Sequence, residues 1–430
     1  MPIADNVAAP IAKYASKAFI NRFDPNKPTL QRIFHENWKP FLDALKTVNI
    51  TFPQYVFDEV ERMIACGTLD MGFEVYECPN CHRHHIICYT CKSRFCTSCG
   101  TKTTKARALK IAKSTLDVQH RHMVFTIDER LRKYFYYHKD WLNFLFDAAS
   151  EAIIYTFNKQ KKESQKSNQR KRKRRKKKKK SSLTPGFICT LHSYGRDLKW
   201  NPHLHLICTE GGMDENHVYR AVSYINYESL RKSFMRQLLY KMRDALPPDS
   251  QELKEFKKLI SQLYREKTNG FYVFAPPMKT SKSGKDQVIK YMIRYAGKPV
   301  MAQSRITGYD YYSKTVTYWY QDHKTNETIT VNESVYKFIL KLIRHIMPPQ
   351  FKMVRYYGIY ATCDHKHKKP MKRRLSKQNH HKFNHDRPKH YRLSLIDTFG
   401  TDPLLCTCGH YMEFVDAYVP SRFHDDGESP

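Results

Sequence analysis

The stretch KWNPHLHLIC, residues 199–208, places His203 and His205 one residue apart in an apolar run. Side chains on a strand alternate between faces, so both imidazoles project from one face while Leu204 and Leu206 point into a core on the other. Two buried imidazoles without partners are costly, and a shared divalent ion supplies a partner for both. A second stretch adds a nucleophile. QVIKYMIRYAGKP, residues 287–299, carries Tyr291 and Tyr295 four residues apart, which puts both hydroxyls on one helix face. Lys290, Arg294 and Lys298 stand alongside, where they can hold phosphates. Seen alone, each stretch also reads as ordinary core packing. Together they describe one reaction: a divalent ion polarises a scissile phosphate, a tyrosine hydroxyl attacks it, and the 3′-OH leaves. The ester linkage is kept as a phosphotyrosine, so rejoining needs no nucleotide hydrolysis. A P-loop is absent: KTSKSGKD has Lys279 where the first glycine belongs and Asp286 where Ser or Thr should follow the lysine.

The cysteines form a second constellation. Six of the 12 fall between residues 78 and 99, and clustering of that kind in a reducing compartment points to metal. Cys78–Cys81 and Cys96–Cys99 are C-x2-C pairs at the separation of a zinc ribbon. Cys88–Cys91 makes a third pair, so the six thiols predict one or two structural zinc ions. Arg83, Lys92, Arg94, Lys102 and Lys105 surround them, which suggests contact with duplex or hairpin DNA. Further on, LLCTCGHYM (404–412) holds Cys406, Cys408 and His410; two cysteines seldom complete a zinc site, so this signal is weaker.

The bulk composition fits a polyanionic partner. The net charge is +34 and the pI about 9.6, as expected for a protein that meets nucleic acid or an anionic surface. Lys and Arg between 159 and 180 supply a net +14 of this, so the remainder is basic in its own right. That run reads as a solvated, disordered loop and a phosphate-binding arm. No run approaches 18 apolar residues, so no transmembrane helix is predicted, and the first residues lack the apolar core of a secretory signal. The chain reads as cytoplasmic.

These residues need a frame of helices and strands. Apolar spacing predicts two helices over 29–66, with Thr29 and Thr51 as starts. A strand is predicted over 121–127, then one or two long helices from Asp128. Adjacent strands follow at GFICTLHSYG and HLHLICTE, then helices over 226–246 and 250–266. GFYVFAP is a strand, 286–296 a helix, 299–307 and 314–321 short strands, ESVYKFILKLIRHI a helix and FKMVRYYGIYAT a strand. Interleaving of this kind predicts an α+β or α/β sheet domain between about 119 and 362.

With these motifs in place, the chain resembles the HUH-class rolling-circle transposases, specifically the two-tyrosine, insertion-sequence-ninety-one type with an N-terminal zinc-binding domain. HUH denotes His, a bulky hydrophobic, His; here it is His203-Leu204-His205. The likeness runs through CKSRFCTSCG (91–100), HMVFTIDERLR (122–132), LHSYGRDLKWNPHLHLICTEGG (191–212), YMIRYAGKPVMAQSRI (291–306) and HIMPPQFKMVRYYGIYA (345–361). It implies a helical, zinc-ribbon DNA-recognition domain over 1–118. A ferredoxin-like (RRM-like) HUH nuclease sheet with helical insertions would follow over 119–362, and the basic loop at about 159–184 looks like an addition to that family core. Composition alone reads 363–430 as a basic, His-rich linker and small Cys-containing tail.

The resemblance also implies metal-assisted cleavage and rejoining of single-stranded DNA at element ends, with Mg²⁺ or Mn²⁺ and 5′-phosphotyrosine intermediates, in a bacterial, nucleoid-associated protein. It makes His203 and His205 metal ligands and Tyr291 and Tyr295 nucleophiles, with Tyr291 expected to cut first. Gln287, His192 and Glu210 are the candidates for a third ligand, Gln287 foremost. Lys290, Arg294, Lys298, Arg305 and Arg94 are the expected DNA contacts. Asn201 stands where many relatives have another histidine. Competing readings are a zinc-dependent DNA-binding protein without catalysis, a relaxase or replication initiator, and a transposase that holds its metals with three acidic residues.

Overall fold

The computed structural model describes residues 27–420 except 101–107, 109–110, 113, 170–182, 223–224, 276–283, 297, 323–324, 362–401 and 403. The heart of the basic run and the His-rich linker therefore lie outside the described residues.

The chain opens with helices α1 (Leu30–Thr47) and α2 (Gln54–Ala65). In α1 the residues Leu30, Ile33, Phe34, Trp38, Phe41 and Leu45 recur every three or four positions and are buried, and the Thr29 side chain accepts the Arg32 N–H at 3.2 Å as a cap. Helix α2 starts after Pro53 rather than at Thr51. A hairpin, β1 (Phe73–Glu77) and β2 (His84–Cys88), follows.

The central sheet is built from β3 (His120–Phe125), β4 (Gly186–Tyr194), β5 (Trp200–Thr209), β8 (Val273–Phe274) and β12 (Val354–Gly358). Its order is β12–β4–β5–β3–β8, with every pairing antiparallel. Between these strands lie α3 (Arg132–Tyr137), α4 (Leu142–Gln169), a small pair β6 (Gly211–Met213) and β7 (Tyr219–Ala221), α5 (Tyr227–Asp244) and α6 (Gln251–Glu266). Helix α4 runs eleven residues into the stretch read as a loop from 159, so the basic insertion begins as a helical extension.

Register fixes which side chains share a face. Thr190 and Val124 lie opposite His205, His192 opposite His203, and Ile188 and His122 opposite Ile207. The other face carries Met123, Phe125, Phe187, Cys189, Leu191, Leu204, Leu206 and Cys208, which pack with α3–α6 in the largest apolar core. Burying that face holds the histidine face in register, because a one-residue slip would exchange the two. Over the histidine face lies α7 (Gly284–Tyr291), whose Val288 and Tyr291, with Met292 just past its end, share one apolar cluster with Ile188 and Ile207.

A meander of β9 (Ile306–Asp310), β10 (Thr315–Gln321) and β11 (Thr328–Ser334) precedes α8 (Val335–Ile343), and β13 (Glu413–Tyr418) closes the described chain. Strand β11 was not anticipated; it carries exposed and half-buried residues in alternation and adds only an edge. One continuous core joins α1, α2, Cys91, Cys96 and Cys99 to Met301, Ile306, Val316, Tyr318 and α8. The N-terminal helices thus share their core with residues 301–346.

Candidate active site and metal clusters

Three histidines converge on the sheet face under α7. His203 and His205 come from β5 and His192 from β4, with one nitrogen from each within 4.8 Å of the others. The Nε2 atoms of His203 and His205 are 3.2 Å apart. Two ligands at right angles about 2.1 Å from one ion lie about 3 Å apart, so this spacing suits a shared cation. The outer nitrogens have partners that fix the tautomers. His203 Nδ1 donates to the Asn201 carbonyl at 2.7 Å, and His192 Nε2 donates to the Tyr295 carbonyl at 2.8 Å. His205 Nδ1 meets His122 Nε2 at 3.2 Å. With the His205 proton directed to His122, each ring turns its other nitrogen toward the space the three share.

Burial favours the neutral form of His192, His205 and His122. It lowers His192 to about 3, helped by the nearby charges of His203, Arg94 and Lys298. It pushes His205 well below the usual histidine range, and brings His122 to about 4, where Arg294 acts in the same direction. Neutral imidazole is the ligating form, so the donor set fits a divalent cation near neutral pH.

The two tyrosines are placed differently. Beyond Tyr291 the helix widens into a π turn over Met292–Ala296. A π turn advances each residue less around the axis, and such turns recur at functional sites. Tyr295 is thereby carried over the histidines: its ring stacks on His205 at 4.0 Å and on His122 at 4.6 Å between centroids. It is half-buried. Tyr291 is only 3% exposed. Its hydroxyl donates to the His205 carbonyl at 2.8 Å, with the Thr190 hydroxyl at 3.1 Å. Burial raises its pKa well above the usual phenol value. The expectation that Tyr291 cuts first meets this obstacle: its proton is held by the sheet, whereas Tyr295 lies against the ligand rings.

Gln287 does not reach the histidines. Its Oε1 accepts the His120 N–H at 2.8 Å and its Nε2 donates to Gln119 at 3.0 Å. His120 pairs with Thr209, at the far end of β5 from His203. Being one turn before Tyr291 put it on the right helix but at the wrong end. Glu210 is engaged by Arg121 at 2.6 Å. His192 is the third candidate that joins His203 and His205, and His122, unremarked in the sequence, lies behind His205. Its signal was the alternation in HRHMVF, which puts His120 and His122 on one strand face.

Among the expected DNA contacts, Lys290, Arg294 and Lys298 are exposed near the site. Arg94 and Lys298 line a cavity of about 260 Å³ that runs from His192 and Tyr194 to Phe95 of the cysteine region. Arg305 is different: its guanidinium donates to the Trp319 carbonyl at 2.8 Å and the Arg196 carbonyl at 2.6 Å, bracing the meander.

The cysteines sort into two clusters, not the expected pairing. Cys91, Cys96 and Cys99 gather with Cys66, at the end of α2, and all four are buried. Their sulfurs lie 3.5 Å (Cys66–Cys99), 3.7 Å (Cys91–Cys99) and 3.8 Å (Cys66–Cys96) apart. A tetrahedron of thiolates about 2.3 Å from zinc spaces its sulfurs about 3.8 Å apart. Cys78 and Cys81, carried off on the β1–β2 hairpin, meet Cys406 and Cys408 instead. Cys88 belongs to neither cluster; it sits on β2 opposite Phe73 and packs in a small apolar cluster. Cys66, with no nearby cysteine in sequence, gave no spacing signal.

Known proteins place this geometry. A family model described as "Putative transposase" matches residues 186–369, spanning the histidine strands and the tyrosine helix. A second, "Transposase zinc-binding domain" of the IS91 type, matches residues 33–127. The "Transposase for insertion sequence element IS801" of Pseudomonas savastanoi pv. phaseolicola is 30% identical over 320 residues, covering 71% of this chain and 70% of that protein. "Putative transposase y4qJ" of Sinorhizobium fredii (strain NBRC 101917 / NGR234) is 22% identical over 316 residues, covering 69% of this chain and 72% of that one. No solved structure matches the chain. Zinc is thus the metal that fits the cysteine region, and DNA the substrate class. Among the described residues, no helix is long and apolar enough to cross a membrane. From the likeness across its zinc-binding and catalytic regions, the chain belongs to the IS91-type transposases with an N-terminal zinc-binding domain.

Proposed function

We propose that this transposase cleaves and rejoins single-stranded DNA by tyrosine attack at the histidine face. The observation that carries the reading is the convergence of His192, His203 and His205 within 4.8 Å, with the Tyr295 ring stacked on His205 at 4.0 Å. A Mg²⁺ or Mn²⁺ ion held by the three imidazoles would supply Lewis-acid activation of a scissile phosphate. The protein does the rest. His122 orients His205 through the 3.2 Å contact between their nitrogens, and Asn201 orients His203 through its carbonyl. Exposed Arg294 and Lys298 hold the flanking phosphates. The Tyr295 oxygen bonds to phosphorus and gives up its proton to solvent, and the 3′-oxygen leaves as a hydroxyl. The 5′-phosphotyrosine that results keeps the ester for later transfer to a second 3′-OH, as rolling-circle transposition requires. Tyr291 serves as the second nucleophile after its hydroxyl leaves the His205 carbonyl.

The five-stranded antiparallel sheet with one helix across it supports a ferredoxin-like HUH nuclease. The cysteine region, joined to His192 by the cavity lined by Arg94 and Lys298, is suited to recognise a hairpin or duplex beside the cleaved strand. The test is incubation with labelled single-stranded oligonucleotides from the element ends and Mn²⁺ or Mg²⁺. A detergent-resistant protein–DNA band is expected, lost with EDTA and with His203→Ala. Cleavage that proceeds without any covalent adduct would exclude tyrosine chemistry and favour a carboxylate-based transposase. Binding without cleavage, on an intact and metal-loaded protein, would reduce it to a DNA-binding role.

A further inference from the structure

The β1–β2 hairpin turns through Cys78 and Cys81. The Cys78 N–H donates to the Arg83 carbonyl at 3.0 Å and the His82 N–H to the Cys78 carbonyl at 2.9 Å. Some 325 residues later a similar turn recurs: the Cys406 N–H donates to the His410 carbonyl and the Gly409 N–H to the Cys406 carbonyl, each at 2.9 Å. His82 (φ +52°) and Gly409 (φ +88°) both adopt the left-handed backbone that so tight a turn needs. The two turns face each other. Cys78 Sγ lies 3.4 Å from Cys408 Sγ, and Cys81 Sγ lies 3.5 Å from Cys406 Sγ. Beside them the Arg83 guanidinium donates to the Thr407 hydroxyl.

Strand β13 continues from this turn and pairs antiparallel with β1, from Glu77↔Glu413 to Phe73↔Tyr418. The Tyr418 ring lies 5.6 Å from Phe73 and the Phe414 ring 5.8 Å from Tyr76. Yet nearly every residue of β13 is exposed, so pairing buries little apolar surface. A surface edge strand held by hydrogen bonds and two ring contacts is a marginal attachment. The close approach is nonetheless built in: at Gly72 (φ +96°) a Cβ would come within 2.5 Å of the Tyr418 carbonyl oxygen.

We propose that Cys78, Cys81, Cys406 and Cys408 hold a second zinc ion, and that this ion clips segment 404–418 onto the N-terminal cysteine region. Four thiolates close a tetrahedron and leave no open position, so the site is structural. Its ligands are split between two distant parts of the chain, which makes the zinc-binding region composite. Cys406 and Cys408 lie beyond both family matches. The Cys66 cluster is a separate, buried site and does not require the tail. The proposal is independent of the strand-cleavage reading.

Native mass spectrometry of the full chain should count two zinc ions. The double variant Cys406→Ser, Cys408→Ser should count one, and amides of residues 413–418 should exchange with deuterium at least about tenfold faster. Cys88→Ser should keep both ions. Should the double variant misfold, wild-type protein titrated with a chelator answers the same question: Cys78, Cys81, Cys406 and Cys408 should become alkylated together, before Cys66, Cys91, Cys96 and Cys99. Two ions retained in the double variant, or alkylation of Cys78 and Cys81 while Cys406 and Cys408 stay protected, would overturn the split site.

Discussion

The Cys66 cluster and the histidine face both gather metal-ligating side chains, and they do so in opposite ways. Cys66, Cys91, Cys96 and Cys99 are all buried and sit at a helix end, on a loop and in a helical turn, inside a core shared with α1, α2 and α8. Four thiolates fill a tetrahedron, so nothing remains for a substrate. The histidines sit on rigid strands, with His203 and His205 half-buried, and three imidazoles leave positions open. A closed site suits folding and an open one suits chemistry. The difference is set by the scaffold: a loop between helix ends can surround its ligands' common centre, whereas a strand presents ligands every second residue along one flat face.

The sharpest way to break this contrast lies with the tyrosines above the open site. Tyr295→Phe should lower adduct formation by at least about 10³-fold, as loss of a nucleophile does. Tyr291→Phe should leave the first cleavage within about tenfold and cost about 1 kcal/mol of stability, because it removes a buried hydroxyl bonded to the His205 carbonyl. The readouts are single-turnover cleavage and denaturant melts. The reverse ranking would show that α7 rearranges before the first cut and that the stacked geometry is not the reactive one.

A smaller effect separates the two metal regions. Cys96→Ser should lower unfolding free energy by several kcal/mol and release one zinc ion, since structural zinc binding is folding energy. His203→Ala, at a half-open site that β5 holds without help, should change unfolding by no more than about 1 kcal/mol while abolishing cleavage. If instead His203→Ala unfolds the protein, the histidine cluster is a structural centre and the division of labour fails.

Much of this was legible in the sequence where local pattern decides. The apolar runs GFICTLHSYG and HLHLICTE, the second with its alternation, marked both central strands, and apolar spacing marked α1 with its Thr29 cap. His203 and His205 showed their shared face because strand geometry is local. What spacing could not show was which distant groups share an ion. Three C-x2-C pairs admit several partitions, and the actual one turns on Cys66 and on Cys406 and Cys408, which tertiary contact alone brings in. Gln287 failed for a related reason. Helical position put it one turn from Tyr291, but the end of β5 on which that turn rests is a property of packing. The π turn that lifts Tyr295 over His205 likewise left no mark in the sequence, since i, i+4 spacing reads as ordinary α-helix.

The smallest predicted effect distinguishes the clustered histidines from one that packs. His345 is buried beneath the same region, with Nε2 on the Leu198 carbonyl at 3.0 Å, Nδ1 at 3.1 Å from the Ser193 hydroxyl, and its ring stacked on Trp200. Burial, aided by Arg344 and Lys139, lowers its pKa from 6.5 to about 3. In the unfolded chain the same ring binds a proton below about pH 6.5, so the unfolded state takes up more protons as pH falls and stability declines. The window is from pH 6.5 down to about 3, and between pH 7 and 6 one such histidine costs about 0.7 kcal/mol. His345→Asn should shrink the loss between those two pH values by about that amount in urea melts. Added Mg²⁺ should leave the difference unchanged, because His345 lies outside the ligand cluster. Equal losses in the two proteins would mean that His345 is protonated in the fold, and a difference cancelled by Mg²⁺ would place it among the ligands.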